Sequence, residues 1–460
     1  MLDQKNRLST REKIGFGLGD TASNFVFHIV NAFLISYYTD VMGLNPLAVG
    51  TLYLVARIWD AISDPLMGGL ADRTQTRWGK YRPYLLWIAI PYGVIGFLAF
   101  LGPDFSDTGK LIYAYITYIA LMTVYTAINV PYSAMMGTIT ADPAERTSLS
   151  NFRFAGAFSA QVVIGLALFP MLAQFGGRDN PDAWRNAMAV FAVLATLLFL
   201  YTFATTKERV KPSKQEQGSF AKDFKFLFKN RPLVVMLVVA FITLLFSGLR
   251  WGITYPYLKY VANFSGETYF WYLDRISIFY ASAPIALVIG LVMTKPLTRI
   301  FGKRNALIGL TMLNAFSVIA FYFIPASNFE QIFWLNIFSA FVAGPMPVLV
   351  WSIYTDVVDY GEWKFGRRTT ALTFAAAMFV QKAGLAVGGS LVGVLLAYFG
   401  YVANVEQSAE SSHGILLMFS VIPGVLTILS GLVLFWYHLS DDEAEAIAIE
   451  LEQRRALAEG

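Results

Sequence analysis

The chain has 460 residues, of which 56% are hydrophobic and 14% are charged, and its formal net charge is +4. Soluble domains carry about 25% charged residues, so this composition excludes an ordinary soluble protein and indicates a polytopic membrane protein. The small net charge gives no sign of a nucleic-acid partner, and the lack of cysteine excludes disulfides and thiolate metal sites.

The first residues form a basic segment that contains Lys5, Arg7, Arg11 and Lys13 and lacks the small-residue cleavage site of a secretory signal. We therefore expect a retained cytoplasmic tail. Twelve apolar runs follow, each long enough to cross a bilayer, for which about 20 residues suffice. Their expected limits are residues 14–41, 46–71, 82–103, 110–139, 148–174, 185–206, 233–261, 272–298, 304–325, 330–358, 369–399 and 413–437.

Lysine and arginine are concentrated in alternate connections between these spans. By the positive-inside rule both termini are cytoplasmic, and we expect a bacterial-type inner (plasma) membrane protein. A long basic linker near the chain midpoint separates six spans from six. The expected domains are an N-terminal six-helix half (1–206), a cytoplasmic middle linker (207–231), a C-terminal six-helix half (232–438) and a C-terminal cytoplasmic helix (439–460). For this last helix we favour a solvated appendage over a regulatory role.

The two halves share a loop motif. RWGKYR (Arg77–Arg82) follows span 2, and IFGKRN (Ile300–Asn305) follows span 8, about 220 residues later. Two six-helix halves with matching loops are typical of the major facilitator fold, in which substrate binds between the halves near the bilayer midplane and rocking of the halves alternates access. The expected fold is therefore all-α, with twelve transmembrane helices in two pseudo-symmetric halves.

Span 1 carries a polar stripe of Asp20, Asn24, His28 and Asn31. Spacings of four, four and three residues place these side chains on one helix face. Hydrogen bonding between helices would explain such a stripe. Because four polar positions coincide and one is a carboxylate, we favour a face that lines a cavity.

Span 2 carries Arg57, Asp60 and Asp64 near its middle, again on one face. A charge at the bilayer centre costs about 2.5–3.5 kcal/mol on the insertion scale, so this face is expected in a cavity. Two carboxylates one turn apart suit a small hard cation, because such cations prefer oxygen ligands. An ion pair of Arg57 with Asp60 that locks the helix is the structural alternative.

Spans 4, 5 and 7 add further polar groups. Arg153 begins span 5 and fits either a gate or a pocket, and Arg250 in span 7 suits a carboxylate or a hydroxyl-rich ligand. Pro131 in span 4 frees a backbone carbonyl that could serve as an oxygen ligand, and a kink with ordinary hydrogen bonds between helices is the alternative. Beside it lie Thr126, Asn129, Tyr132 and Ser133.

Span 10 holds Trp351 and ends in acids that oppose a basic loop, and we favour a gating role for these charges over ion coordination. The acids are Asp356, Asp359 and Glu362, and the bases are Lys364, Arg367 and Arg368. Span 11 buries Lys382 in an otherwise apolar helix. A lone buried lysine needs an anionic partner, for which Asp20, Asp60 and Asp64 are candidates.

The chain has no phosphate-binding GxxxxGK[ST] loop, paired-histidine metal motif or nucleophile elbow, so neither ATP-driven transport nor an enzyme is indicated. Aromatic faces and hydrogen-bonding groups in a charged cavity suit sugars, whose apolar faces stack on rings while their hydroxyls need paired donors and acceptors.

Long segments resemble the glycoside–pentoside–hexuronide:cation symporters of the major facilitator superfamily. The likeness covers nearly the whole chain and is carried by residues 37–83 (YYTDVMGLNPLAVGTLYLVARIWDAISDPLMGGLADRTQTRWGKYRP), NVPYSAM (129–135), TADPAER (140–146) and DVVDYGEWKFGRR (356–368). The resemblance implies sugar uptake coupled to Na⁺, Li⁺ or H⁺.

The resemblance also implies roles for particular residues. Asp60 and Asp64 match the family's cation-site aspartates and would be the metal ligands if the cation is Na⁺. Asn129, which stands at the family's span 4 acid, is the third implied cation-binding residue. Asn24 aligns with the sugar-binding acid of span 1, and Trp351 lies one turn after the family's span 10 tryptophan. The implied substrate-binding residues are Asp20, Asn24, Arg153, Trp351 and Lys382, and the gating residues are Asp356, Asp359 and Arg368.

We therefore expect a symporter that imports a glycoside, pentoside or uronide by alternating access. Its expected partners are the sugar, a monovalent cation and the lipid bilayer, with no other cofactor and no nucleic acid, and a monomer is expected. The first alternative is a transporter of an amphiphile such as a lysolipid, because distant relatives of this fold move such molecules. The second is a membrane enzyme or receptor.

Overall fold

A computed structural model describes residues 7–140, 142–210, 229–264, 268–366 and 370–459. The helices of the first part are α1 (Thr10–Ser36), α2 (Pro46–Arg73), α3 (Arg82–Leu98), α4 (Asp107–Ile139), α5 (Pro143–Gln174) and α6 (Pro181–Thr205). Those of the second part are α7 (Arg231–Pro256), α8 (Arg275–Leu291), α9 (Thr294–Ala320), α10 (Phe329–Ala343), α11 (Met346–Phe365), α12 (Thr370–Tyr398), α13 (Ala409–Phe419), α14 (Val421–Leu434) and α15 (Asp441–Glu459).

These helices form the twelve predicted membrane segments, because α10 with α11 and α13 with α14 each make one segment. Within the described ranges, eight segments are long and apolar enough to cross a membrane by themselves, and α3 and α8 are shorter apolar helices. The remaining two segments, α1 and α2, carry the polar stripe and the three charges. The polar and charged residues that lower the hydropathy of α1 and α2 are therefore the candidate binding-site residues.

The predicted limits of span 8 are wrong at both ends. A two-stranded hairpin of β1 (Thr268–Phe270) and β2 (Leu273–Asp274) precedes α8, so the helix begins later than expected. The helix ends at Leu291, and α9 starts at Thr294 after a turn. The apolar run continues through this turn, which is why hydropathy alone misses the break.

Two helices, α2 and α6, begin with the same local device, an asparagine cap followed by proline. Asn45 accepts a hydrogen bond from the Leu47 N–H at the start of α2, and Asn180 does the same at the start of α6. Capping side chains satisfy backbone donors that the first helical turn leaves unpaired, and proline at the first position has no N–H to satisfy. These signals fix where the spans begin.

The second half repeats details of the first. The π-helical turns Tyr37–Val41 and Tyr257–Val261 extend α1 and α7 about 220 residues apart. Each is followed within two residues by a left-handed position, Gly43 with φ 74° and Asn263 with φ 53°. Equivalent irregularities at equivalent places support an internal repeat beyond the matched loop motif.

The glycine of each matched loop motif has a positive φ. Gly79 has φ 117° and Gly302 has φ 75°, in the left-handed region that favours glycine. The Glu208 carboxylate after α6 accepts the backbone N–H groups of residues 80, 81 and 82 at 3.0, 2.7 and 2.8 Å. The Asp441 carboxylate, at the start of α15, accepts the N–H of Lys303 at 2.6 Å. A carboxylate after the last span of each half thus holds the same turn.

Contacts divide the chain into two compact units. The first comprises residues 1–214, 251–284 and 390–412, and the second comprises residues 215–250, 285–389 and 413–460. These units group segments differently from the predicted halves, whose boundaries remain a prediction.

The C-terminal helix α15 is part of the core of the second unit. Ile447 and Leu451 are buried with Tyr360 and Leu439 in one hydrophobic cluster. The preference for a solvated appendage is therefore wrong for this face of the helix. Ser440 and Glu443 form a capping box at its start, and the hydrogen bond from the Ser440 N–H lowers the pKa of Glu443.

Candidate cation and sugar site

The first polar group of the α1 stripe forms an ion pair. Arg153 on α5 contacts Asp20 with 2.5 Å between Nε and Oδ2, and its guanidinium lies 4.9 Å from the ring centre of Tyr132 on α4. The Tyr132 hydroxyl donates to the Phe16 carbonyl and lies 3.2 Å from the Asp20 carboxylate. Arg153 Nη2 also lies 3.4 Å from the Ser133 hydroxyl. This group, half-buried and held from three helices, combines a cation, an anion and hydroxyls.

The two asparagines of the stripe differ in how fully their side-chain amides are hydrogen-bonded. Asn24 Nδ2 donates to the Asp20 carbonyl at 2.9 Å, which leaves its amide oxygen turned away from the helix backbone. Asn31 accepts from Arg57 Nη2 at 2.8 Å and donates to the Phe27 carbonyl at 2.7 Å. Asn31 is therefore committed to the helix interface, whereas Asn24 keeps an acceptor for another group.

The two α2 carboxylates meet at one hydroxyl of α4. Thr126 Oγ1 lies 2.9 Å from Asp60 Oδ1 and 2.9 Å from Asp64 Oδ1. A threonine hydroxyl has one proton, so it can donate to only one of the two oxygens. The other oxygen meets a lone pair of the same hydroxyl. That arrangement is favourable only when this carboxyl group is protonated or when a cation lies beside it.

Two prolines lie in the same stretches of α2 and α4 and each frees a backbone carbonyl. Pro65 follows Asp64 within α2 and has no N–H for the Ala61 carbonyl. Pro131 lies within α4 and likewise has none for the Ala127 carbonyl. Uncommitted carbonyls beside carboxylates are the neutral oxygen ligands that a small hard cation accepts.

Arg57 is shared between this pair and the α1 stripe. Its guanidinium donates to Asn31 at 2.8 Å, while its closest approach to the Asp60 carboxylate is 3.8 Å. The ion pair foreseen as the structural alternative is therefore present but long. The shorter contact of Arg57 goes to the amide of Asn31 and not to the Asp60 carboxylate.

Asn129 lies one turn after Thr126 on α4. Its Nδ2 donates to the Tyr125 hydroxyl at 2.8 Å, and its Oδ1 is buried without a hydrogen-bond partner among the described residues. A buried acceptor without a partner is costly unless a ligand or water satisfies it. The predicted cation-binding role of Asn129 remains a prediction.

In the second unit, Trp351 on α11 stacks on Phe374 of α12, with ring centres 5.8 Å apart and an angle of 9°. Lys382 lies half-buried on α12. Arg250 on α7 donates to the Phe419 carbonyl at 2.7 Å, at the break between α13 and α14. A structural contact thus accounts for part of the donor capacity of Arg250, and the substrate-binding roles of Trp351 and Lys382 remain predictions.

Two of the predicted gating charges of the second unit have partners among the described residues, and the gating role remains a prediction. Asp356 receives Lys303 Nζ at 2.9 and 2.7 Å, and Lys364 donates to the Tyr360 hydroxyl at 2.7 Å. Among the described residues, the partner of Asp356 therefore comes from the IFGKRN motif. Asp359 lies on the same helix, whereas Arg368 lies outside the described residues.

Comparison with known proteins places the chain in a family. The model of the MFS/sugar transport protein family matches residues 15–441. The chain belongs to this family. The predicted membership of the glycoside–pentoside–hexuronide:cation symporters is confirmed by relatives that match over nearly their whole length.

Three relatives illustrate the similarity. The putative glycoside/cation symporter YagG of Escherichia coli K12 is 38% identical over 98% of this chain and 96% of its own. The isoprimeverose transporter of Lactiplantibacillus pentosus is 34% identical, with 98% and 93% covered. The glucuronide carrier protein homolog of Escherichia coli K12 is 30% identical, with 98% and 97% covered.

Solved structures agree on the fold. A bacterial homolog of the human lysosomal transporter Spinster superposes with a TM-score of 0.68 at 13% identity, covering 95% of this chain and 100% of that one. The D-xylose-proton symporter gives 0.64 at 14% identity, with 92% and 96% covered. The predicted all-α, twelve-helix major facilitator fold is confirmed. The protein is a multi-pass membrane protein of a sugar-transporter family.

Proposed function

We propose that this family member is a symporter that imports a glycoside, pentoside or uronide together with Na⁺, Li⁺ or H⁺. The observation that carries the proposal is the Thr126 hydroxyl lying 2.9 Å from both Asp60 and Asp64. Two carboxylates that converge on one neutral hydroxyl form an oxygen-rich site, which suits a proton or a small metal cation. The relatives named for glycoside/cation symport and isoprimeverose transport support a sugar as the cargo.

Coupling follows from shared helices. The sugar would bind at Asp20, Asn24 and Arg153, while the cation would bind at Asp60 and Asp64. In each place α4 supplies a hydroxyl, from Tyr132 in the first and Thr126 in the second. A ligand that fixes α4 at one place lowers the cost of ordering it at the other. Each ligand would therefore raise the affinity for the other by the same factor.

The proposed orientation has both termini in the cytoplasm of a cell with a bacterial-type inner membrane. In that orientation the RWGKYR and IFGKRN turns face the cytoplasm, where their basic residues satisfy the positive-inside rule. The coupling cation is the only non-sugar ligand in the proposal, and a monomer suffices for the cycle.

The first test is uptake by purified protein in liposomes. Labelled neutral and acidic sugars are each offered with an imposed Na⁺ gradient, an imposed proton gradient or neither. Accumulation of a sugar under one gradient supports the proposal and names the coupling ion. No accumulation under either gradient overturns it. Lysolipid transfer that excess glycoside does not inhibit would support the amphiphile alternative.

The substitution Asp64→Asn tests the cation site directly. The variant keeps the size of the side chain and removes the charge that a cation needs, so gradient-driven accumulation should be abolished. Asp104→Asn is the matched control, because Asp104 is an exposed aspartate in the connection before α4. Full accumulation by Asp64→Asn would contradict the assignment.

A further inference from the structure

A layer of buried aromatic rings lies between α1, α5, α7 and α8 in the first unit. Tyr255 on α7 stacks on Phe169 with ring centres 5.6 Å apart, and Phe33 lies 5.9 Å from Tyr255 and 4.9 Å from Tyr280. Tyr255 is 2% exposed, and Phe33 and Phe169 are equally buried. Water and a hydrated sugar are excluded from this layer.

One turn before this layer, α7 becomes accessible. Trp251 lies four residues before Tyr255 and hence on the same helix face, yet it is 36% exposed. The adjacent Gly252 lets α7 approach its neighbours closely, because a Cβ there would lie 2.9 Å from Val392 and 3.2 Å from Ile35. The helix is therefore held tightly at the point where the indole is presented.

Trp251 meets His28 of the α1 stripe. The two ring centres are 6.2 Å apart at 70°. Within the part of the chain that the structure describes, neither the imidazole nor the indole N–H has a hydrogen-bond partner. Polar groups at a helix interface are normally satisfied, and unsatisfied ones are commonly explained by a ligand or water.

The position of His28 shows that the face of α7 that carries Trp251 points to the bundle interior. His28 lies four residues after Asn24 and eight after Asp20, on the face that carries the ion pair with Arg153. A face with a carboxylate and an amide points to the bundle interior rather than to lipid. Trp251, in contact with His28, therefore faces the interior directly below the aromatic layer.

We propose that Trp251 and His28 form a second sugar subsite, so that the transported substrate is a glycoside of at least two rings. This inference rests on the proposed function. Eight residues of α-helix separate His28 from Asp20, which corresponds to about 12 Å along the axis. One sugar ring is too short to contact both ends of the stripe, whereas two linked rings reach from the Asp20–Arg153 pair to Trp251.

The two side chains supply complementary contacts. The accessible indole face stacks on the apolar C–H face of a pyranose ring, and its N–H donates to a ring hydroxyl. The imidazole both donates and accepts in its neutral form, as a sugar hydroxyl requires. Phe33 and Tyr255 close the pocket beyond this ring, which limits the length of the substrate.

The test compares sugars of one and two rings on the same protein. Purified wild type in liposomes is offered labelled cellobiose, melibiose and isoprimeverose, and labelled glucose, xylose and glucuronate serve as the one-ring set. We expect accumulation of at least one disaccharide. For that disaccharide, Trp251→Ala should raise the half-saturating concentration at least about tenfold. The concentration of a one-ring sugar that half-inhibits disaccharide uptake should stay unchanged.

Controls separate this subsite from general damage. Trp87→Ala removes an exposed tryptophan of α3, whose ring lies 5.6 Å and 70° from Tyr84, and should leave both sugar classes unaffected. Trp251→Leu keeps an apolar side chain without an aromatic face and serves if the alanine variant does not fold. His28→Gln keeps hydrogen-bonding groups and should cost less than Trp251→Ala.

The outcomes distinguish the two proposals. If wild type accumulates no sugar under any gradient, the proposed function fails and the subsite with it. If wild type accumulates only one-ring sugars, or if Trp251→Ala and Trp251→Leu weaken one-ring and two-ring sugars equally or not at all, the subsite alone is overturned.

Discussion

The two carboxylate sites of the first unit differ in how their charges are met. Asp20 faces the guanidinium of Arg153 at 2.5 Å, with a tyrosine hydroxyl beside it. Asp60 and Asp64 instead converge on a single threonine hydroxyl. The first site is complete in the absence of a ligand and offers a fixed pattern of donors and acceptors, which suits the orientation of a sugar. The second gathers two carboxylates around one neutral hydroxyl, which suits a proton or a metal cation.

This difference predicts opposite consequences of substitution. A partner removed from the complete site leaves a half-buried charge behind, so both stability and binding suffer. A group removed from the Asp60–Asp64–Thr126 site should chiefly weaken the binding of the cation. Variants of the first site should therefore lose both thermal stability and transport, whereas variants of the second site should lose transport alone.

The largest effect is expected from Arg153→Ala. It leaves Asp20, whose side chain is 14% exposed, without its cation, and loss of one partner of a buried pair costs about 3–5 kcal/mol as an upper range. Sugar uptake should fall below detection and the melting temperature should drop. Both are measured on the same purified protein.

The double variant Arg153→Ala with Asp20→Ala is the control for this result. It removes the orphaned charge, so the melting temperature should recover in part while uptake stays absent. Equal melting temperatures for the single variant and wild type would show that Asp20 is not buried enough to depend on Arg153.

An intermediate effect is expected from Thr126→Val, which keeps the shape of the side chain and removes the shared hydroxyl. The half-saturating cation concentration should rise about tenfold, equivalent to about 1.4 kcal/mol, while sugar affinity at saturating cation and the melting temperature remain close to wild type. The measurement is uptake as a function of cation concentration.

Thr117→Val is the matched control for Thr126→Val. Thr117 lies on the same helix, is buried, and donates to the Tyr113 carbonyl within its own helix. Its cation dependence should equal that of wild type. A shift of the same size in both variants would point to a general effect on α4.

The sequence predicted the spans and the charged residues of both sites because these follow from local composition. Charges are rare in apolar helices, so Asp20, Asp60 and Asp64 stand out without any structure. Thr126 did not stand out as the bridging group, since hydroxyls are common in membrane helices and most bond to their own backbone. Its distinction is the distance to two carboxylates of another helix, and that is a tertiary property.

Contacts between residues far apart in the chain were the second feature that the sequence did not predict. Lys303 as the partner of Asp356 and Trp251 as the neighbour of His28 lie far apart in sequence, so no local spacing predicts them. The hairpin before α8 was missed for a different reason. Its residues, TYFWYLD, are rich in aromatic side chains and carry no turn signal such as glycine or proline, and the positive φ of 55° at Trp271 marks the turn of the hairpin.

The smallest effect is expected from variants of Asn31, which lies between the two sites. Asn31 holds Arg57 at 2.8 Å, and Arg57 lies 3.8 Å from Asp60. In Asn31→Ala the guanidinium loses its acceptor and should turn toward Asp60, where it competes with the cation. The half-saturating cation concentration should rise a few-fold. Asn31→Asp should hold Arg57 more strongly and leave the value equal to wild type or lower. A rise in both variants would mean that Arg57 does not compete with the cation, and the two sites would then be electrostatically independent.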